Sequence, residues 1–337
     1  MATARMERKR TCVTGATGYV GSMLVKRLLE RGCAVNATVR DPANSKKVSH
    51  LLDLQVLGDL KLFKADLMEE GSFDYAINGC DFVFHVATPM ILESKDPEND
   101  MIKPAINGTL DVLKSCVKAK TVKHVVYTSS VAAVARKKLT RTGHVFNEES
   151  WSDVEYLASE KPLSWRYAVS KTLAEKAAWK FAKENSLDLI TIIPGVITGS
   201  SLNPEVPGSV SLALSLLTGN ESAINFLKSL PLMSGSISLV HVEDVCRAHI
   251  FVAENESASG RYICCAANTC VPELAKFLSK RYPSYNVLTD FGDCPANLKS
   301  IFSSEKLIKA RFSYNYRMEE MYDESVEYLR AVGLLAN

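Results

Sequence analysis

KRTCVTGATGYVGS, residues 9–22, passes from a short apolar run into three glycines, Gly15, Gly18 and Gly21, and then into a helical pattern. Strand, tight turn and helix start, in that order, suit a dinucleotide. Glycines permit backbone turns closed to other residues and let a ligand approach the main chain. The free N–H groups and positive dipole end of the helix then attract a pyrophosphate. The spacing is GxxGxxG rather than the commoner GxGxxG, and a glycine-rich turn alone would carry little weight. Its place between a strand at Thr11–Thr14 and a helix at Tyr19–Glu30 supplies the required context. Gly15, Thr17, Gly18, Tyr19 and Val20 are the expected cofactor contacts of this loop.

The chain around it has 337 residues, long enough for one large or two modest domains. Forty basic residues against 38 acidic ones give a net charge of +2, too balanced to favour nucleic acid or a membrane surface. With neither a leader pattern nor an apolar stretch long enough to span a bilayer, the expectation is a soluble cytoplasmic protein. The nine cysteines include no C-x-x-C pair and no histidine partner at ligand spacing. They read as reduced core thiols, and no metal site is expected.

Strand and helix patterns alternate outward from the glycine loop. A second strand, 33–39, ends at Arg40, followed by a helix over 44–57 that carries Lys46 and Lys47. In doubly wound sheets this strand tip meets the adenosine ribose, where an arginine accommodates the 2′-phosphate of NADP. Arg40 and Lys47 therefore point to NADP over NAD. A third strand, 60–65, closes on Asp66 and Leu67. A fourth, 81–86, runs into Val86, Ala87, Thr88 and Pro89, small residues suited to a cofactor lying across the strand ends. After a helix over 99–119 and a fifth strand, 123–128, come Ser129 and Ser130, and a basic segment (Arg136, Lys137, Lys138, Arg141) reads as a solvated loop. A sixth strand, 187–193, ends at Pro194 and Gly195. The expected fold is a Rossmann-type α/β doubly wound parallel sheet, residues 1–195. A smaller substrate lobe, 196–337, follows, parts of which can interleave with the first. Helices are expected in it over 210–217, 242–253, 272–281 and 318–332, with short strands at 238–240 and 262–264.

The chemistry sits on the helix after the fifth strand. Tyr167 and Lys171, four residues apart, share one face. An isolated pair of this spacing is common on exposed helices, but here it follows a glycine loop, alternating strands and a serine at a strand tip. A phenol ordinarily titrates near about 10. A neighbouring ammonium and an oxidised nicotinamide both favour its phenolate. Tyr167 is the expected acid/base, and Lys171 tunes it and binds the nicotinamide ribose. Ser130, with Ser129 as the alternative, bonds the substrate oxygen.

TGATGYVG together with Ser130, Tyr167, Lys171 and Arg40 resembles the extended short-chain dehydrogenase/reductases over nearly the whole chain. Within them the chain is similar to the plant flavonoid reductases, through TVRDP (38–42), KKVSHL (46–51), FHVATP (84–89), DPEND (96–100), SKTLAEKAAWKFAKEN (170–185) and GRYIC (260–264). HVEDVCRAHIFVAE (241–254), SASGRYICCAANT (257–269) and VPELAKFLSKRYP (271–283) are similar to the anthocyanidin reductase branch, whereas ESKDPEND (93–100) leans to the dihydroflavonol 4-reductase branch. The resemblance implies NADPH as cofactor and a flavonoid as substrate. The product is a 2,3-cis flavan-3-ol in the first branch and a C4 alcohol in the second. Gly195 stands where either branch carries a hydroxyl residue and is expected to widen the floor beside the nicotinamide. The asparagine many extended members carry before their Gly-Thr is replaced by Ala105, and Asn107 takes no catalytic role from it. A non-catalytic NADP-binding relative would lack Tyr167 or Lys171; both are present.

Overall fold

Cys12 and Val13 are fully buried at the centre of β1 (Arg10–Thr14), a strand covered on both faces, as parallel sheets require. The computed structural model describes residues 8–89, 96–135, 142–289, 291 and 300–336. From β1 the chain alternates through α1 (Tyr19–Glu30), β2 (Ala34–Val39), α2 (Ser45–Leu52), β3 (Leu60–Lys64), α3 (Asp74–Ile77), β4 (Phe82–His85), α4 (Lys103–Ala119) and β5 (His124–Thr128). Then come β6 (His144–Phe146), α5 (Val154–Glu160), α6 (Trp165–Glu184) and β7 (Leu189–Pro194). The remainder holds β8 (Val196–Thr198), α7 (Gly208–Ala213), α8 (Ser215–Thr218), α9 (Glu221–Ser234), β9 (Ile237–His241) and α10 (Val242–Glu254). It ends with β10 (Gly260–Cys264), β11 (Ala267–Thr269), α11 (Val271–Arg281), β12 (Ser300–Phe302), α12 (Glu305–Lys309) and α13 (Met318–Ala331).

Seven strands form one sheet in the order β10-β7-β5-β4-β1-β2-β3, parallel at every pairing. This is the doubly wound sheet expected from the alternating pattern. The order reverses at β1 and β4, so the loops leaving their C-terminal ends part and open a crevice for ligand. Tyr262–Cys264, read above as a strand of the smaller lobe, is instead the edge of this sheet, with Ile263 opposite Ile193 of β7. α10 comes with it: Val245, Ala248 and Val252 share a core with Leu24 and Leu28 of α1. The lobe itself is built on a three-stranded sheet, β11-β9-β8, and a core that includes Leu227, Leu239, Leu274, Met321 and Leu329.

Several boundaries differ from the sequence pattern for local reasons. The helix expected over 44–57 divides into α2 and a 3-10 turn at Asp53–Leu57. The helix expected from 99 starts as a wide π-type turn at Glu98–Ile102. Pro104 has no N–H for the carbonyl one turn earlier, so the regular ladder begins only beyond it. α9 escapes the sequence reading because Pro231 lies inside it; Asn220 starts it by accepting the Ala223 N–H at 3.0 Å. β6 and β12 pair over three residues each, too few to show a period. The described cysteines are buried thiols. No metal-holding cluster occurs among the described residues, and none of their helices is long and apolar enough to cross a membrane.

Candidate active site

The glycine loop is set by close backbone approach. Gly15 has φ +66°, and a Cβ there would come within 2.8 Å of Ala87 Cα; a Cβ on Gly21 would meet the Gly15 carbonyl oxygen at 2.3 Å. Gly18 caps α1 with no side chain over the helix end, leaving the first-turn N–H groups free to meet an anion. Thr14 joins the tips of β1 and β4: its hydroxyl accepts N–H bonds from Val86 and Ala87, both at 3.1 Å, and donates to His85 Nδ1 at 2.9 Å. With Nδ1 accepting, the proton of His85 is assigned to Nε2, 3.3 Å from Thr109 Oγ1. Burial, with the charge of Lys171 nearby, holds this imidazole neutral, its pKa lowered to about 3.

Around this cradle the structure places the other expected cofactor residues. Tyr19 turns its ring away: its hydroxyl lies 2.8 Å from the Thr198 carbonyl and 3.0 Å from that of Gly199, so only its backbone faces the loop. Arg40 is exposed just beyond β2, and its neighbour Asp41 is turned back onto the Ala43 N–H at 3.0 Å. Lys47 pairs with Glu205 of the lobe at 2.5 Å. Asp66 accepts the Met68 N–H at 3.0 Å, while Leu67 packs on α4, its Cβ 2.7 Å from where a Cβ on Gly108 would lie. Val86, Ala87, Thr88 and Pro89 are half-buried at the sheet edge, and Pro194 is buried as the last residue of β7.

Across the crevice α6 carries Tyr167 in its first turn and Lys171 one turn on. Lys171 is 2% exposed. Its ammonium donates to the Thr128 carbonyl at 2.8 Å and to Thr88 Oγ1 at 3.1 Å, 5.1 Å from the centre of the Tyr127 ring. Burial pulls its pKa down to about 8, and Glu175 opposes the fall. Ser130 caps a short turn, accepting the Ala132 N–H at 3.2 Å, which leaves its own O–H to donate. Ser129 is no alternative to it: buried, it gives its proton to Glu175 Oε2 at 2.6 Å. Lys171 and Ser130 therefore lie at the tips of β4 and β5, with Tyr167 one helical turn before Lys171 on α6.

Two features differ from or escape the sequence reading. A Cβ on Gly195 would lie 2.7 Å from the Ser238 carbonyl oxygen; the missing side chain admits β9 beside β8 and does not widen the nicotinamide floor. Glu175 and Arg261, both buried, form an ion pair behind Ser129. Its only sequence signal is a third polar residue at four-residue spacing on α6 and an arginine inside an apolar strand. On the lobe side, Val131, Val196, Leu230, Ser238 and Phe302 line a cavity of about 30 Å³. The basic segment at 136–141 lies outside the described residues.

Residues 11–265 match the NAD dependent epimerase/dehydratase family. The chain is also 65% identical over 330 residues, 98% of either chain, to an anthocyanidin reductase ((2S)-flavan-3-ol-forming) of Vitis vinifera. It belongs to that family, in its anthocyanidin reductase branch. The dihydroflavonol 4-reductase of Arabidopsis thaliana stands further off, 50% identical over 98% of this chain and 84% of its own. Among solved structures, vestitone reductase from alfalfa (Medicago sativa L.) superposes with a TM-score of 0.83 at 37% identity, covering 97% of this chain and all of that one. The protein is an NAD(P)-dependent oxidoreductase of this family, which accounts for a cradle at β1 and a buried lysine opposite it.

Proposed function

We propose that the chain is an NADPH-dependent anthocyanidin reductase, converting the flavylium cation of an anthocyanidin to a 2,3-cis flavan-3-ol of the epicatechin type. The observation that carries this reading is the Lys171 ammonium, buried at the tips of β4 and β5 one helical turn from Tyr167 and facing the glycine cradle. The cradle fits a dinucleotide: its glycines sit where a Cβ would strike backbone, and α1 begins there. Arg40 at the β2 tip, with Asp41 folded into its own turn, favours a 2′-phosphate.

In this reading the bound nicotinamide supplies hydride, and the flavylium cation takes up two hydrides and one proton. Ser130 Oγ–H orients a substrate oxygen, the Tyr167 hydroxyl holds or delivers the proton, and the Lys171 ammonium binds the nicotinamide ribose and favours the tyrosinate. The cavity beside Val131 holds no more than a water or two at about 30 Å³. Incubation with NADPH and, separately, cyanidin and dihydroquercetin, with product identification, tests the assignment. Cyanidin should yield an epicatechin-type product. Reduction of dihydroquercetin at C4 with cyanidin ignored would replace this reading with that of a dihydroflavonol 4-reductase.

A further inference from the structure

Glu175 is wholly buried, one turn beyond Lys171 and two beyond Tyr167 on α6. Its carboxylate accepts from Ser129 Oγ at 2.6 Å, from Arg261 Nε at 2.8 Å and from a second guanidinium nitrogen of Arg261 at 3.3 Å. Arg261 in turn donates to the carbonyls of Glu148 at 2.6 Å and Ser150 at 2.8 Å, and stacks on Trp151 at 3.7 Å. A buried ion pair is weak evidence for stability, because desolvation offsets much of its attraction. Where the cluster sits is more telling. Ser129 separates Thr128, whose carbonyl receives the Lys171 ammonium, from Ser130.

We propose that Glu175 is the positioning residue of the active-site helix: it holds the Ser129–Ser130 tip of β5 against α6 and supplies the buried negative charge that keeps the Lys171 ammonium protonated. The inference rests on the roles given above to Ser130, Tyr167 and Lys171. The groups facing that ammonium come from five elements. Tyr167 and Glu175 lie on α6 and Tyr127 on β5; His85 on β4 is held neutral by burial. Arg261 on β10 lies behind Glu175, and His249 on α10 is bonded through Nε2 to Thr128 Oγ1 at 2.7 Å. Among these described groups Glu175 is the only anion. A cluster that merely tied β10 to α6 would leave the pH dependence of binding and turnover where it was.

The test measures NADPH affinity, by fluorescence quenching, and steady-state reduction across pH, with the full chain. In the parent both should fall above about pH 8 as Lys171 loses its proton. Glu175→Gln should move both alkaline limbs down by about one pH unit. Glu175→Asp keeps the charge but shortens the reach, so its limb should return towards the parent position while kcat stays low. Ser129→Ala should lower kcat severalfold and leave the limb in place. A folded Glu175→Gln protein with unmoved limbs overturns the proposal. Should Gln leave Arg261 uncompensated and the chain unfolded, Glu175→Gln/Arg261→Met removes both charges; the limb should still move down, by less than one unit because loss of the guanidinium behind Glu175 opposes the shift, and an unmoved limb overturns the proposal. If that too fails to fold, unchanged kcat in Ser129→Ala overturns the proposal and lowered kcat supports it. Lys171→Met with undiminished NADPH affinity and turnover would defeat the underlying catalytic reading instead, whatever Glu175 does.

Discussion

Tyr167→Phe separates chemistry from binding at a single hydroxyl. NADPH affinity should persist while ketone reduction falls by roughly 10² to 10⁴, whereas Lys171→Met should damage both, measured by cofactor titration and steady-state rates. A flavylium cation is already electrophilic, so its reduction should suffer less from the loss of the phenol than that of a ketone. These residues were legible because spacing four on a helix is a local signal. Choosing between Ser129 and Ser130 was not local, since it depends on Glu175 reaching β5 from another element. Gly195 misled for the same reason: what fills the place of its side chain is Ser238, forty-odd residues away in the chain. Gly195→Thr should therefore cost about 1 to 3 kcal/mol of stability by overpacking, seen as a lowered denaturation midpoint, and it should not sharpen selectivity among flavonoids.

The β2–α2 corner offers its cations unequally. Lys47 is engaged by Glu205, while the Arg40 side chain stands exposed at the strand tip. A phosphate dianion meeting one or two cations should favour NADPH over NADH by roughly 1 to 3 kcal/mol. Arg40→Asp should abolish or reverse that preference and Lys47→Ala should only weaken it, as read from the two cofactors' dissociation constants. Strands and helices of the sheet were readable because each carries its own period. β6 and β12 were not, being three-residue strands that pair across more than 150 residues of chain. β10 was readable as a strand but not as the sheet's edge, because its partner β7 lies beyond an entire intervening lobe segment.

Buried imidazoles should make the whole molecule acid-sensitive. Burial holds the pKa of His85 down to about 3 and that of His249 to about 4, against an ordinary 6.5. The unfolded chain therefore binds these protons first as pH falls. Their contribution is complete above about pH 6.5 and is lost progressively down to about 4 and 3. By pH 5 each should have removed about 2 kcal/mol, which urea denaturation at pH 7 and pH 5 would show as a lowered midpoint. His85→Asn should flatten part of that dependence. The turn after β8 also ties the molecule's two halves. Thr198 and Gly199 receive the Tyr19 hydroxyl, and Asn203 donates to the Thr17 carbonyl at 2.9 Å, while Val196 of β8 lines the small cavity beside Val131. Any ligand that settles the glycine loop thereby biases that strand, and linkage makes the benefit mutual. NADP and flavan-3-ol should each tighten the other's binding by one shared factor in calorimetry. Tyr19→Phe should shrink that factor towards one while leaving either ligand's affinity alone nearly unchanged.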